Sequence, residues 1–317
     1  MKLPDACEPS RDAGGGRGGP PLPVRGGVAP SRVYLPPGSW PSLLDFLIHR
    51  FKYIEPEILR DRLAAGQIVD GSGAAQALDS PYQPLRWLWY YREVPDELPV
   101  PFDMPVLYRD ARLVVADKPH FLASIPGGRH LRETALTRLR DSLDLPRLSP
   151  IHRLDLDTAG VMLFCIEPAS RGAYQVLFQS HQVRKEYEAI APVRIGLQLP
   201  CRYRCRLGPR PGQFTVQETP GEPNSETYIE LLERRGALGR YLLRPRTGRK
   251  HQLRAHMSAL GIPIRNDIFY PELRRHAGAG DFSRPLQLLA RAIEFADPFS
   301  DRTLRFESRR RLDGLTA

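Results

Sequence analysis

The run His152-Arg153-Leu154-Asp155-Leu156-Asp157-Thr158-Ala159-Gly160 gathers an imidazole, a guanidinium and two carboxylates, and leads directly into the apolar Val161-Met162-Leu163-Phe164. A polar, Gly-ended loop that feeds an apolar strand is a common way to hold reactive groups on a rigid frame. An Asp beside an Arg is expected to stay ionised, because the cation lowers its pKa from about 3.9. An ionised Asp suits attack on carbon or stabilisation of a cation, and serves poorly as a general acid at neutral pH. Taken alone, this run reads equally well as a catalytic loop and as a loop salt bridge.

Two further clusters follow. Val183-Arg184-Lys185-Glu186-Tyr187-Glu188-Ala189-Ile190 reads as a strand, which puts Lys185 and Tyr187 on one face and Glu186 and Glu188 on the other. A Tyr on such a face can stack on a base or exchange a proton. Arg244-Pro245-Arg246-Thr247-Gly248-Arg249-Lys250 is a basic turn that runs into a helix expected from about His251, with His251, Arg254 and Ala255 on one side and Leu253, His256 and Met257 on the other. Clustered cations at a helix start suit phosphate or a catalytic carboxylate. His251 and His256 are five residues apart with no carboxylate in the usual metal-binding arrangement, so no metal is expected there.

Together these clusters resemble the RluA-type family of pseudouridine synthases over roughly residues 100–300. The resemblance is carried by His152-Arg153-Leu154-Asp155 with Thr158-Ala159-Gly160, by Lys185 and Tyr187, and by Thr247-Gly248-Arg249 with His251-Gln252-Leu253-Arg254 and His256. Leu113 to Pro119 upstream and Gly261-Ile262-Pro263-Ile264 downstream add to it. The chain departs from the pattern at Ala159, where Ser is usual, at Asn266, where Gly is usual, and before Ala290, where His is usual. The resemblance implies isomerisation of uridine to pseudouridine within RNA, without cofactor or metal. It implies that Asp155 is the essential aspartate, that Tyr187 lies against the base, that Arg254 pairs with the aspartate, and that Arg153 fills the space left by a flipped base. A uridine stacked in a stem must be flipped out to be reached, at a cost of a few kcal/mol, and a guanidinium plane replaces part of the lost stacking. His152, Lys185, Arg249, Arg202 and Arg204 are the further candidates for RNA contact; Arg202 and Arg204 lie with Arg206 on one face if Cys201–Arg206 is a strand. Arg234-Arg235 and Ser308-Arg309-Arg310-Arg311 are additional basic runs.

These residues need a frame. The expected fold is α+β: a mixed, largely antiparallel sheet with flanking helices over 105–311, preceded by a small N-terminal module. Residues 1–38, rich in Gly, Pro and Arg, are expected to be disordered, because they cannot bury enough apolar surface to offset their ordering entropy. Between 39 and 93, helical spacing over Ser42–Phe51 and Glu55–Ala65 is followed by strand signals at Gly66–Gly73, Pro81-Tyr82 and Trp87–Tyr91. This order resembles the alpha-L RNA-binding motif; a plain structural subdomain is the other reading. Residues 94–104, with three prolines, are expected to form an extended linker, and 312–317 a tail.

The 317 residues carry 46 Lys plus Arg against 36 Asp plus Glu, with the excess largely in Arg. The planar guanidinium suits phosphate, so nucleic acid is the first partner to expect; the resemblance implies that it is RNA, and the N-terminal module favours ribosomal over transfer RNA. Of the four cysteines, Cys201 and Cys205 lie four apart without a second pair, which fits reduced cytosolic thiols better than zinc. No apolar run reaches the ~18 residues of a membrane span, so a cytoplasmic monomer is expected. Two rivals remain at this stage. A catalytically silent RNA-binding protein would have lost one of Asp155, Tyr187 or Arg254, all of which are present. A glycoside hydrolase using Asp155 and Asp157 would leave the other two clusters unexplained.

Overall fold

The computed structural model describes residues 20–93, 97–274, 278 and 280–315, and these divide into two compact units. The smaller unit contains β1 (Ser31–Leu35), α1 (Leu43–Arg50), α2 (Pro56–Ala64), β2 (Ile68–Asp70) and β3 (Arg86–Tyr90). Ser42 caps α1 by accepting from the Asp45 amide at 3.1 Å, and Pro56 opens α2, where its missing N–H costs nothing. The antiparallel sheet has the order β1-β3-β2. Its inner face sets Leu35, Leu88 and Ile68 against Leu43, Leu47, Leu59 and Leu63 of the helices.

Four expectations are corrected here. The N-terminal segment expected to be disordered through residue 38 contains a strand. Val33 and Leu35 are buried and alternate with exposed Arg32 and Tyr34, so a period-2 strand lies inside a stretch whose Gly/Pro/Arg composition disguised it. Residues 1–19 of that segment lie outside the described residues. Pro81-Tyr82 forms no strand, and the third strand is β1 instead. The expected linker also stops short. Residues 94–96 are outside the described residues, but Leu98 onward belongs to the larger unit, where Val100 is buried in the core and its amide donates to Glu133 at 2.8 Å. Residues 127–132, expected in the main domain, group with the smaller unit, where the Leu131 and Arg132 amides both donate to Glu97.

The larger unit runs β4 (Val106–Arg109), β5 (Leu113–Lys118), α3 (Ala135–Ser142), β6 (Ser149–Pro150), β7 (Ala159–Cys165), α4 (Arg171–Gln179), β8 (Arg184–Pro192), β9 (Cys201–Cys205), β10 (Leu207–Pro209), β11 (Val216–Glu218), β12 (Ser225–Arg235), β13 (Leu238–Pro245), α5 (Gln252–Ala259), β14 (Leu288–Ala296) and β15 (Thr303–Glu307). The main sheet follows β4-β5-β7-β14-β8-β13-β12-β9, with β15 beside β14 and β6 beside β7. Among the named strands of the described residues only β7 and β14 pair in parallel, so the fold is α+β with a mostly antiparallel sheet. β5 and β7 are buried along their whole length, as strands covered on both faces must be. The expected tail is partly docked: the Gly314 amide donates to Gln287 at 2.9 Å and Gln287 donates to Asp313 at 3.1 Å. Residues 316–317 lie outside the described residues.

One row of paired residues crosses this sheet: Lys118, Gly160, Ala290, Tyr187 and Leu243. At its centre Gly160 has φ +116°, and a Cβ there would stand 2.2 Å from the Ala290 carbonyl oxygen. The two strands can approach this closely only without a side chain at 160. Away from the row, charges are matched strand to strand. Arg202 and Arg204 meet Glu226, Arg244 and Arg305 meet Glu186, and Arg184 and Arg305 meet Glu294. Each such exposed pair contributes little to stability by itself. Gly160→Ala should therefore lower unfolding stability by about 1–3 kcal/mol or more; an urea midpoint equal to that of the unsubstituted chain would show that β7 and β14 can separate without penalty.

Candidate active site

The loop carrying Asp155 is held by backbone carbonyls. Ser124 Oγ donates to the Leu154 carbonyl at 2.6 Å and accepts from the Leu154 amide at 3.0 Å. Lys118, fully buried, donates to the carbonyls of Pro119, Leu122 and Leu156 at 3.0, 2.7 and 3.1 Å. Three acceptors use all three N–H groups of an ammonium. Burial pulls the Lys118 pKa down to about 7, while Asp157 and Asp155 oppose that fall. His120 Nδ1 lies 2.7 Å from the Asp157 carbonyl, and so carries the proton. The end of β5 and the turn after it therefore grip residues 154, 156 and 157 and leave the Asp155 side chain to project between them.

Arg254 is 1% exposed and lies in α5. Its Nε and Nη2 donate to the two oxygens of Asp267 at 2.8 and 2.6 Å, a bidentate fork. Its Nη1 makes no hydrogen bond to a described residue but lies 3.5 Å from Asp155 and 3.7 Å from Asp157. Desolvation pulls the Arg254 pKa down, but the hydrogen bonds it donates to Asp267 and the charges of Asp267, Asp155 and Asp157 outweigh that and raise it, so the guanidinium is permanently charged. Three carboxylates thus surround buried Arg254, and Lys118 feels the charge of two of them, Asp157 and Asp155. The Asp157 and Asp267 side chains are 8% and 0% exposed, whereas Asp155 is 31% exposed, so the carboxylate that faces solvent is Asp155. Tyr187, in the sheet row, is pushed up in pKa by burial and next by the negative charge of Asp155, which keeps its phenol protonated and sets it beside that carboxylate.

The expected trio of Asp155, Tyr187 and Arg254 therefore comes together, with one difference: the main partner of Arg254 is Asp267, and Asp155 is its outward neighbour. Asp157 belongs to the same charge cluster. Lys118, His120, Ser124 and Asp267 were not singled out. The Asp117-Lys118-Pro119 run was visible, but nothing in spacing linked its lysine to a loop 38 residues on. The α5 helix is buried on all sides over Gln252–Met257, not split into two faces as expected, because it sits under the sheet and loops around it. His256 is held between Thr227 and Ser225 at 3.0 and 2.9 Å. Gln252 accepts from the Thr247 hydroxyl and the Arg249 amide while donating to the Glu226 carbonyl and Thr227 hydroxyl, which clamps the basic turn to β12.

The residues expected to touch RNA differ in placement. Arg153 is exposed beside the loop. His152 turns inward: its Nε2 accepts from the Leu163 amide at 3.1 Å and its ring stacks on Phe178, which assigns it to the frame instead of to RNA. Lys185 is half-buried and donates to the Thr247 carbonyl at 3.2 Å, so it tethers the basic turn. Arg249 donates to the Asn224 carbonyl at 3.1 Å. Arg202 and Arg204 are exposed on β9, and Glu226 meets both. Cys165, Cys201 and Cys205 are free; Cys7 lies outside the described residues. Among the described residues no helix is long and apolar enough to cross a membrane.

A family model described as RNA pseudouridylate synthase matches residues 112–259. An uncharacterised RNA pseudouridine synthase of Synechocystis sp. is 31% identical over 236 residues, covering 72% of this chain and 79% of the relative. The dual-specificity RNA pseudouridine synthase RluA of Escherichia coli (strain K12) is 34% identical over 180 residues, covering 54% of this chain and 80% of the relative. Among solved structures, human RNA pseudouridylate synthase domain containing 1 superposes with a TM-score of 0.55 at 23% identity, over 67% of this chain and 87% of that one; the likeness is one of fold.

Two outcomes follow from the geometry. Asp267→Ala strands a buried guanidinium and should cost about 3–5 kcal/mol of stability, far more than Asp155→Asn; chemical denaturation of the two variants compares them directly. Burial lowers the pKa of His120, His251 and His256 to about 4 and of His152 to about 3. The unfolded chain takes up these protons below pH ~6.5 and the folded chain does not. Stability is therefore full above that pH and falls as pH drops from ~6.5 towards 4. Urea midpoints measured at pH 7, 6 and 5 should decline steadily, and a flat series would contradict neutral buried imidazoles.

Proposed function

Because this chain belongs to the RluA-type family of RNA pseudouridine synthases, we propose that it isomerises specific uridines in structured RNA, ribosomal RNA in preference to transfer RNA, with Asp155 at the reacting sugar. The observation that carries the assignment of Asp155 is its position as the solvent-facing member of three carboxylates around buried Arg254. A carboxylate fixed by a cation and open on one side is arranged to act at C1′, by bonding to it or by stabilising the positive charge that grows as N1 departs. The C1′–N1 bond breaks, the base turns, and a C1′–C5 bond forms; the proton on C5 is lost and N1 gains one. No electrons enter or leave, so the reaction calls for no redox cofactor.

Tyr187 is assigned as the surface against which the base lies. A phenol held this firmly protonated moves the C5 proton only by handing on its own, so it serves as a relay and not as a free base. Arg254 is assigned to hold Asp155 in place from beneath, and exposed Arg153 to take the stacking position of the flipped base. The preference for ribosomal RNA is supported by the separate N-terminal unit, on whose sheet Arg32 lies 4.2 Å over the Trp87 ring, a pairing suited to unpaired nucleotides. The Escherichia coli relative is named as dual-specificity, so both RNA classes belong in the test. Such a role places the protein in the cytoplasm.

Tritium release from RNA labelled at uracil C5 tests this reading. Ribosomal and transfer RNA fractions from a strain lacking the gene are assayed separately, with release expected first from the ribosomal fraction. Asp155→Asn should reduce release by at least ~10³-fold while RNA binding by filter retention persists. Undiminished release would place the reacting group elsewhere.

A further inference from the structure

An aromatic path leads outward from the buried Arg254. Its guanidinium lies 4.8 Å over the Phe269 ring. Phe269 is parallel to the His251 ring, with centroids 5.6 Å apart at 6°. Phe214 meets both, at 5.2 Å from His251 and 5.7 Å from Phe269, through tilted contacts. The path ends at Lys250, whose ammonium stands 3.4 Å from the Phe214 centroid. Phe214 is nonetheless 61% exposed, one of the more open large apolar side chains in the larger unit.

An exposed phenylalanine on a loose loop would mean little. Phe214 is different, because the hairpin of β10 and β11 that bears it is fastened to the cluster around Arg254. The Tyr270 hydroxyl accepts from the Val216 amide at 3.0 Å and donates to the Val216 carbonyl at 3.1 Å. The Tyr270 amide donates to Asp267, the residue that forks onto Arg254. Within the hairpin, the Arg210 amide donates to the Thr215 carbonyl at 3.0 Å. The ring is therefore held open to solvent by a chain of contacts that begins at the reaction site. Lys250, at the end of the path, is within electrostatic reach of both Asp155 and Arg153.

We propose that Phe214 and Lys250 form a subsite for the nucleotide adjacent to the target uridine, its base stacking on the Phe214 ring and its phosphate drawn to Lys250. The proposal rests on the synthase reading of the site. It identifies the ligand by chemistry: a planar base supplies the stacking face, and the phosphate supplies the charge that a cation beside an aromatic ring recognises. The subsite selects for an unstacked neighbour, as at a loop or bulge, because a base paired within a continuous helix cannot turn its face to Phe214. Neither residue touches the reacting atoms, so both govern substrate engagement and not the chemical step.

The test measures the half-saturating concentration of C5-tritiated ribosomal and transfer RNA for tritium release by the full chain. Phe214→Ala and Phe214→Leu should each raise it roughly tenfold, while Phe214→Trp stays within about twofold, since base–aromatic stacking accounts for factors of that order. Lys250→Met should weaken binding and reduce the slope of log affinity against log salt by about one. Phe214→Leu retains apolar bulk without a ring; wild-type half-saturation in that variant would overturn the subsite, as would a loss confined to the plateau rate. If the unsubstituted chain releases no tritium, the synthase reading fails separately. Filter retention of the same RNA by the unsubstituted and Phe214→Leu chains then decides the subsite, equal affinities counting against it.

Discussion

A guanidinium at 1% exposure is tolerable only if its charge is answered, and the larger unit is arranged around that requirement. Asp267 answers it with a two-point fork, and Asp155 and Asp157 complete the surroundings of Nη1. Burying these groups is expensive, and the expense is recovered only when each has its partners in place. The turn around Asp267 is itself held by the Phe269 and Tyr270 amides, which donate to its carboxylate. α5, the turn after it and the loop after β6 are thus constrained by a single ionic knot, and the side chain it turns outward is the one assigned to chemistry.

The sheet supplies the second constraint. The row from Lys118 through Gly160, Ala290 and Tyr187 spans four strands from distant parts of the chain. Gly160 lets two of those strands approach closely enough to bring the row together. Lys118 at one end grips the Asp155 loop through its carbonyls, and Tyr187 at the other faces the Asp155 charge. Register, not proximity in sequence, therefore sets the distance between the candidate relay and the candidate nucleophile, and a one-residue slip would move Tyr187 to the opposite face.

Much of this was legible in the residues. The helices of the smaller unit and the apolar strand β7 stand out because apolar periodicity is a local signal, whereas the grouping of Asp155, Tyr187 and Arg254 came from the family resemblance. What escaped depended on long-range contact. Asp267 is an isolated acid 13 positions after Arg254, and only tertiary packing pairs them. Lys118 lies in a run that carries part of the family resemblance, and nothing in its spacing showed that it would reach the carbonyl of Leu156. His152 and Lys185 carry the residue types of an RNA contact, yet each found a backbone partner inside the fold. β1 was masked by composition, since two buried aliphatic residues within a Gly/Pro/Arg-rich stretch are too few to outweigh their neighbours.

The matched charges on the outer strands have one more consequence. The chain carries a formal net charge of +10, but the arginines of β8, β9, β13 and β15 that meet Glu226, Glu186 and Glu294 contribute little to its far field. The field that a distant polyanion meets is therefore set by the cations outside these pairs. That net positive field draws a polyanion in before any contact forms and raises the frequency of collisions. With a screening length near 8 Å at physiological ionic strength, that attraction acts over about the last nanometre of approach and fades as salt rises.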